Sequence, residues 1–592
     1  MSALPQPVAD KDSRSVAEAR ELIERAYNAF LEYQHFTQEQ VDRVIDAMAA
    51  AATAAAEKVA KLAVEETGYG VVSDKVQKNL FSSERVYQAL RGMKTVGVVR
   101  EDREQGIIEV AAPVGVVAAV LPSTNPTSTA IYKILIALKG RNAVVLSPHP
   151  TAFRCTCEIT SIMRDAAIKA GAPSDLICCF STPTLAGTQE LMKHRRTSVI
   201  LATGGMGMVR AAYSSGKPAF GVGPGNVPVF IDRSADVKKA VADLVFGKTF
   251  DNGTICSSEQ AIVAEEAIRE PVTEELKRNG AHFLSEDEVQ RLGREMVNLE
   301  HHTINPKFVG KSAQRVAELA GFKVPDSTRV LVAPLKGVGR EHPLSAEKLS
   351  PVLALYFTRD RNAGFDTCLA LLRFGGLGHT CVIHGRDDAV IREYGLKMPA
   401  GRIVVNSPAP QGSIGASTNL FPAMTLGCGA VGGNITSDNI SPMHLINLRR
   451  VAYETRPVTQ KEVVAVSGVV TQAATATPCA CQDGQAEPAE VAAGASGAPD
   501  RVAVAHAIER FLAKKAGKPA PAPTPAPAAA KPAPAAAPPV TRPKPRPVDF
   551  VSEQEIRAAL KRKEKIVIGS KTIITPAARD LAAQHDVFTI AE

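Results

Sequence analysis

Apolar runs and amphipathic segments alternate along the first 450 residues of the chain. Residues 15–34 and 38–66 have apolar positions three and four apart, which predicts two amphipathic helices near the N-terminus. Buried strands that alternate with helices favour an α/β fold with parallel, doubly wound sheets. The predicted strands fall at 116–121, 143–146, 198–201, 227–231, 330–332 and 382–384, and the helices between the first of them at 127–138, 151–169 and 207–214.

The composition changes after residue 450. Residues 451–499 are rich in Ala, Thr, Gly and Gln, and residues 517–548 consist mainly of Pro and Ala, so we expect two extended linkers in a disordered tail. Between them, residues 500–516 predict a short amphipathic helix with one apolar face. A helix this short is marginal in water, so it either folds on a partner or docks on its own chain.

The last segment, residues 549–592, predicts a small ordered module. Its pattern indicates a helix at 552–562, a strand at 565–569, a helix that Pro576 opens and a strand at 587–590.

Composition and charge argue against a nucleic-acid-binding protein and against a membrane protein. The 592 residues are 45% hydrophobic and 22% charged, as in globular proteins of several domains. The net charge of +8 is modest, and the chain has no basic helix with interleaved aromatics, so we expect no nucleic-acid partner. The N-terminus is polar and the longest apolar run is too short to span a bilayer, so we expect a cytoplasmic protein without a membrane partner.

The ten cysteines form neither a disulfide framework nor a zinc-ligand pattern, so we expect reduced thiols and no bound metal. Cys479 and Cys481 lie in the first linker, where redox activity, metal binding and an incidental pair all stay open. Cys256 follows an Asn-Gly turn in the segment FDNGTICSSEQ. A thiol on such a turn can project into a cleft where a backbone N–H lowers its pKa and binds an oxyanion, although a lone cysteine can equally be a small core residue.

Other polar and glycine residues follow the predicted strands, at the sheet edge where α/β proteins bind ligands. Thr124 and Asn125 follow the first strand, and the Asn125 amide could stabilise an oxyanion, although Asn-Pro is also ordinary turn chemistry. Ser147 and His149 follow the next strand, in a loop that two prolines stiffen. Residues 203–205 (Thr-Gly-Gly) open a helix whose N-terminal N–H groups could hold a phosphate.

Three further segments carry candidate residues. Gly221 and Gly223 belong to a glycine-rich turn before a strand, Glu347 precedes a turn and an apolar strand, and His379 lies in a glycine-rich loop. Each also has a structural explanation, because a loop acid is commonly solvated and a histidine commonly satisfies its hydrogen bonds within the fold.

Taken together and in this order, these segments resemble the aldehyde dehydrogenase superfamily, and most closely its CoA-acylating branch. The resemblance covers nearly all of residues 15–450. It implies N-terminal helices and a Rossmann-type cofactor domain over residues 1–255, and an α/β catalytic domain with a C-terminal return over residues 256–450. The matching stretches are residues 36–41, 124–131, 147–150, 201–205, 212–218, 248–256, 347–351 and 426–433.

The resemblance also implies roles for the predicted site residues. Cys256 would be the nucleophile, Asn125 and the Cys256 backbone N–H would form the oxyanion hole, and His379 would handle protons. Glu347 would lie toward the ribose next to the nicotinamide of NAD. The other residues that would contact the cofactor are Thr124, Ser147, His149, Thr203, Gly204, Gly205, Gly221 and Gly223.

One departure from the hydrolytic members of the superfamily bears on the product. Their Glu-Leu-Gly-Gly segment supplies a glutamate that activates water, whereas residues 220–223 here read Phe-Gly-Val-Gly. Without that base, water is a poor nucleophile, while the thiol of CoA ionises readily. We therefore expect acyl transfer from acetaldehyde or propionaldehyde to CoA. The alternatives are release of a free acid and a catalytically dead scaffold, and the choice between NAD and NADP stays open.

The C-terminal region resembles targeting segments. Residues 551–592 are similar to the N-terminal segment of an ethanolamine-utilisation protein of bacterial microcompartments, and the helix at 500–516 is similar to encapsulation peptides. This resemblance implies shell proteins as partners and a microcompartment lumen as the location. The superfamily resemblance further implies a homo-oligomer.

Overall fold

The computed structural model describes residues 10–298, 303–456 and most of 548–590. The chain divides into two compact units, one before residue 475 and one after it, which are described in turn. The predicted helix at 500–516 and most of both predicted linkers, with Cys479 and Cys481, lie outside the described residues.

Helices make up the N-terminal part of the first unit and confirm the two that the periodicity predicts. They are α1 (Lys11–Tyr33), α2 (Gln38–Thr67), α3 (Val72–Leu80) and α4 (Val86–Leu90), with a π-helical turn, Phe81–Arg85, between the last two. Helix α2 begins at a capping box formed by Thr37 and Gln40, and it ends at Gly68, whose φ of +67° favours glycine.

Two antiparallel strands, β1 (Gly97–Asp102) and β2 (Ile107–Pro113), precede the first large sheet. This sheet has five parallel strands in the order β5-β4-β3-β6-β7. The chain adds β4 and β5 on one side of β3 and then crosses over to add β6 and β7 on the other side, so the strand order of this sheet reverses between β3 and β6. Its strands are β3 (Val116–Val120), β4 (Ala143–Ser147), β5 (Ile177–Cys179), β6 (Thr197–Thr203) and β7 (Ala219–Val222), and its helices are α5 (Pro126–Lys139), α6 (Phe153–Lys169), α7 (Leu185–Lys193) and α8 (Met206–Tyr213).

A second sheet has seven parallel strands in the order β10-β13-β14-β9-β8-β15-β16. Its strands are β8 (Val227–Ile231), β9 (Glu259–Glu265), β10 (Ala281–Phe283), β13 (Val330–Pro334), β14 (Val352–Thr358), β15 (Gly378–His384) and β16 (Ala400–Val405), while β11 (Val297–Asn298) and β12 (Thr303–Ile304) form a small separate pair. Its helices are α9 (Val237–Thr249), α10 (Arg269–Arg278), α11 (Glu286–Met296), α12 (Ala313–Leu319), α13 (Arg361–Phe374), α14 (Asp388–Lys397) and α15 (Ala409–Ser413).

The two large sheets confirm the α/β fold with parallel strands. The chain passes from the first large sheet to the second between Val222 and Val227. Strand β8 is therefore part of the second sheet, and α9 follows it, although both precede the domain boundary expected at residue 255. No helix among the described residues has the length and apolarity needed to cross a membrane.

The first unit ends with strand β17 (Ile446–Ala452), which pairs with β2 in an antiparallel ladder. Its last pairs join Val451 to Ile108 and Ala452 to Ile107. The linker expected from residue 451 therefore begins later, because hydrogen bonds to β2 hold these residues in the sheet.

The second unit is a small parallel sheet in the order β18-β19-β20 with one described helix. Its elements are β18 (Val548–Val551), α16 (Glu553–Arg562), β19 (Ile566–Ile574) and β20 (Phe588–Ile590). The helix and the last two strands confirm the predicted pattern, whereas β18 starts at a position assigned to the linker. Pro576 lies outside the described residues.

Candidate active site

A cavity of about 530 Å³ opens where the parallel strands of the first sheet end. The last residues of four strands line it, and it lies at the switch between β3 and β6, where α/β sheets bind ligands. Neither Gly221 nor His379 lines it, whereas the other predicted site residues do: Thr124, Asn125, Ser147, His149, Thr203, Gly204, Gly205, Gly223, Cys256 and Glu347.

Cys256 reaches the cavity because the chain turns sharply just before it. Asp251 and Asn252 both have a φ of +51°, in the left-handed region, and they form a short 3-10 turn between α9 and β9. This turn presents Cys256 to the cavity wall with its side chain partly exposed. The position matches the prediction of a thiol projecting into a cleft.

The charge state of Cys256 differs from the expectation of a lowered pKa. Burial, with contributions from Glu347 and Cys428, raises the pKa of the Cys256 thiol to about 12. The Arg402 charge and the Cys256 backbone N–H act in the opposite direction but are outweighed. With this pKa, the thiol is protonated at neutral pH.

Asn125 lies at the cavity wall, directly before α5, with Pro126 at the first helical position. Its side-chain oxygen Oδ1 accepts a hydrogen bond from Lys78 Nζ at 2.7 Å. Its amide nitrogen Nδ2 has a 3.4 Å contact with Thr124 Oγ1. The amide N–H₂ can therefore donate to a negatively charged oxygen in the cavity.

The loops after β4 and β6 form the part of the cavity that suits a nucleotide. Helix α8 has Gly205 at its N-cap without a side-chain hydrogen bond, so its first N–H groups can donate hydrogen bonds to a phosphate. Thr203 Oγ1 is buried without a hydrogen-bond partner among the described residues. Ser147 Oγ contacts Thr188 Oγ1 at 2.8 Å, and His149 is held by Thr151 at 2.8 Å.

Glu347 is the sole carboxylate among the described residues that line the cavity. Its Oε1 accepts the backbone N–H of Gly225 at 3.1 Å. Burial raises the pKa of Glu347 to about 8, against the opposing effects of Gly225, Lys248 and Lys348. Most Glu347 side chains therefore carry a proton at neutral pH.

His379 lies in strand β15 and is fully buried. Its Nδ1 contacts Thr380 Oγ1 at 3.0 Å, and its Nε2 has no partner among the described residues. Burial and the nearby Arg402 charge lower the pKa of His379 to about 3, so the ring is neutral. The prediction that it lies in a loop is wrong, because β15 begins at Gly378 and includes it.

Gly221 is also not in a turn, because it lies inside strand β7 and packs against α8. A Cβ at this position would come within 2.8 Å of Val209 Cγ1 and 3.0 Å of Tyr213 Cε2. Its carbonyl accepts a hydrogen bond from Asn434 Nδ2. Close packing of strand and helix thus explains this glycine without a cofactor contact.

Two buried groups near Cys256 were missed in the sequence. Arg402 donates to the His379 carbonyl at 2.6 Å and to the Ser437 carbonyl at 2.9 Å, and its charge lowers the pKa of Cys256. Cys428 acts in the opposite direction. The sequence signal for Arg402 was an arginine in an otherwise apolar strand, β16. Nothing in the sequence indicates the effect of Cys428.

The chain is similar to known proteins over most of its first unit. The aldehyde dehydrogenase family matches residues 4–326. The bifunctional aldehyde-alcohol dehydrogenase AdhE of Escherichia coli is 46% identical over 443 residues, which cover 74% of this chain and 50% of that protein. The chain therefore spans about half the length of the curated bifunctional relatives that it matches.

Two solved structures extend the comparison. An acetylating aldehyde dehydrogenase from Geobacillus thermoglucosidasius is 51% identical with a TM-score of 0.75, over 76% of this chain and 100% of that one. A propionaldehyde dehydrogenase from the fucose utilisation bacterial microcompartment of Clostridium phytofermentans is 28% identical with a TM-score of 0.67, over 75% of this chain and 98% of that one.

Proposed function

Because the chain belongs to the aldehyde dehydrogenase family, we propose that it oxidises a short-chain aldehyde with NAD⁺ and transfers the acyl group to CoA. The observation that carries this proposal is the cavity in which Cys256 and Asn125 face the predicted cofactor residues. The acetylating activity in the name of the Geobacillus relative supports the choice of CoA as the acceptor.

The residues at the cavity fit a dinucleotide. The N–H groups at the start of α8 would hold its pyrophosphate, Thr203 Oγ1 is a buried polar atom without a partner among the described residues, and Glu347 would lie toward the ribose next to the nicotinamide. When bound, NAD⁺ accepts the hydride that leaves the substrate carbon.

In the proposed reaction, the Cys256 thiol releases its proton to solvent, and its sulfur attacks the aldehyde carbon and forms a carbon–sulfur bond. Asn125 Nδ2 and the Cys256 backbone N–H donate hydrogen bonds to the resulting oxyanion. Loss of hydride leaves a thioester on Cys256. The CoA sulfur then attacks the thioester carbon, the bond to Cys256 breaks, and the Cys256 sulfur takes up the proton that the CoA thiol gives up, which restores the thiol.

The residues that surround Cys256 support CoA over water as the acceptor. Residues 220–223 (Phe-Gly-Val-Gly), which would correspond to the Glu-Leu-Gly-Gly segment of hydrolytic members, contain no carboxylate, and Glu347 is mostly protonated at neutral pH. A protonated carboxyl group cannot remove a proton from water. Release of a free acid is therefore the less favoured alternative.

The substrate and the location are further parts of the proposal. Acetaldehyde and propionaldehyde differ by one methylene, which is worth only about 1–3 kcal/mol in a pocket. The Clostridium relative comes from a microcompartment, which supports a targeting role for the segment 500–516 and the C-terminal module. Shell proteins as partners, a microcompartment lumen in the cytoplasm and a homo-oligomer stay predictions.

The test is NADH formation from each aldehyde, with and without CoA, followed by mass spectrometry of the product. Strict CoA dependence of steady-state turnover with an acyl-CoA product is expected, and formation of more than one NADH per active site without CoA would favour the free acid. Cys256→Ala should lower turnover by at least about 10³-fold because no thioester can form, while NADH binding, measured by fluorescence, stays unchanged. Absence of NADH formation with any aldehyde would favour the scaffold.

A further inference from the structure

Lys78 contacts Asn125 and the loop that precedes Cys256. It lies on α3 with its side chain only 2% exposed. Its ammonium donates to Asn125 Oδ1 at 2.7 Å, to Asp251 Oδ2 at 2.6 Å and to the Thr254 carbonyl at 3.1 Å. An ammonium group has three protons, so each one has a separate acceptor.

These contacts determine which way the Asn125 amide points. Lys78 can donate hydrogen bonds but cannot accept them, so the atom of the amide that faces it must be the oxygen. The nitrogen Nδ2 then points away from Lys78. Without a donor-only partner, the amide could rotate and turn its oxygen toward the developing oxyanion, which would repel it.

The same ammonium joins the Asn125 loop to the loop of the nucleophile. Thr254 lies two residues before Cys256, and Asp251 begins the left-handed turn that leads to it. Asp251 is also fixed by Val71 N–H at 2.7 Å and by Lys75 Nζ at 3.0 Å. Helix α3 thus holds both loops through buried, charge-assisted hydrogen bonds.

We propose that Lys78 is a positioning residue that orients the Asn125 amide and fixes its distance from Cys256. This inference rests on the proposed function, because it assumes that Asn125 donates to the oxyanion. Lys78 itself touches neither the aldehyde nor the cofactor, so its effect must pass through Asn125.

The test compares variants of the full chain by the rate of the first-turnover NADH burst with saturating NAD⁺ and aldehyde. Lys78→Met should slow the burst by about 10- to 100-fold, up to the range that loss of an oxyanion donor costs, with little change in the KM for NAD⁺. Lys78→Arg, which keeps a donor-only cation, should recover most of the rate. Lys139→Met is the matched control, because Lys139 is a buried lysine that pairs with Asp42 away from the cavity.

A double-mutant cycle separates positioning from general damage to the fold. In the Asn125→Ala background, Lys78→Met should slow the burst by less than about threefold, because the residue through which it acts is gone. An equal loss in both backgrounds, or an unchanged burst in Lys78→Met, would overturn the inference. Absence of a burst in the wild-type enzyme would instead refute the proposed function and remove the basis of the inference with it.

Circular dichroism of each variant shows whether it has folded. If Lys78→Met does not fold, Lys78→Gln, which offers both a donor and an acceptor to the Asn125 amide, provides the same cycle, and a folded Lys78→Gln variant that loses as much activity without Asn125 as with it contradicts the inference.

Discussion

The two sides of the cavity bury their charged groups in different ways. On the side of Asn125, Lys75 and Lys78 share one carboxylate, with Nζ atoms 3.0 and 2.6 Å from Asp251 Oδ2. All three side chains are almost completely buried. Although burial alone would raise it, the pKa of Asp251 lies below its ordinary value because of the two lysine charges.

On the side of Glu347, the buried lysines mostly find neutral acceptors. Lys248 Nζ donates to Gln260 Oε1 at 3.1 Å, and Lys348 Nζ donates to the Leu344 and Ala346 carbonyls at 2.7 Å. Burial lowers the pKa of Lys248 to about 7, and burial raises the pKa of Glu347 to about 8.

The two sides differ in whether a buried carboxylate has a direct ion pair. On the Asn125 side, the ion pairs keep the pKa of Asp251 low, although burial still lowers the pKa of Lys78 to about 8. On the Glu347 side, where the described residues give Glu347 and Lys248 no direct ion pair, the pKa of the carboxyl group itself rises to about 8. We therefore expect variants on the Asn125 side to affect stability and geometry, and variants on the Glu347 side to affect pH dependence.

The largest expected effect is on the Asn125 side. Asp251→Asn would leave two buried lysine charges without a carboxylate and should lower the free energy of unfolding by about 3–5 kcal/mol. Urea denaturation at pH 7 measures it. The matched change Glu347→Gln should cost less than about 1 kcal/mol, because that carboxyl group is mostly protonated already. Equal losses would show that the two sides do not differ as described.

The second largest expected effect is on the reactivity of the Cys256 thiol toward an alkylating reagent. Because burial raises the pKa of Cys256 to about 12, its thiolate fraction should rise about tenfold per pH unit between pH 7 and 10. The alkylation rate of this cysteine by iodoacetamide, followed by peptide mass spectrometry, should rise in parallel. Glu347→Gln should accelerate it at pH 9, where the wild-type carboxylate repels the thiolate. A rate that levels off above about pH 9, as in the urea-unfolded chain, would contradict the raised pKa.

The smallest effect is a pH-dependent change in stability at Glu259. This residue is 1% exposed, accepts the Ala409 N–H at 2.7 Å, and has a pKa raised to about 8, mainly by burial. The folded state binds its proton more tightly than the unfolded state, so this contribution to stability is present at pH 4 and is lost as the pH rises toward 8.

Glu259→Gln keeps the acceptor and removes the titration. Relative to wild type, the variant should gain about 2–3 kcal/mol of stability between pH 6 and pH 8.5, measured by urea denaturation at both values. A surface change, Asp175→Asn, serves as the control, because Asp175 pairs with Arg25 in solvent and should show no such gain. A constant difference across the pH range would show that Glu259 ionises normally.

The strands and the position of Cys256 at the cavity were the most predictable features. Short apolar runs such as those in β3 and β4 are typical of buried strands when they alternate with helices. The Asn-Gly turn indicated the position of Cys256. The errors at Gly221 and His379 have one common cause. Glycines beside them suggested loops, but β7 and β15 include both residues, because strands accept glycine where a neighbour packs closely.

The residues that position Asn125 could not be found in the same way. Lys75 and Lys78 are spaced like two charges on the solvated face of a helix, which is the ordinary place for lysine. Their partner Asp251 lies 173 residues after Lys78. Only the folded structure brings the three together, because no local pattern encodes a contact over that separation.

Strand β17 has a practical consequence for shortening the chain. A truncation after residue 450, where the composition changes, would remove Val451 and Ala452 from the ladder with β2. The freed N–H and C=O groups of β2 at Ile107 and Ile108 would then form an open sheet edge that another molecule could extend. A stop codon placed after residue 456 keeps this edge closed, so the truncated enzyme would avoid aggregation that has nothing to do with the missing tail.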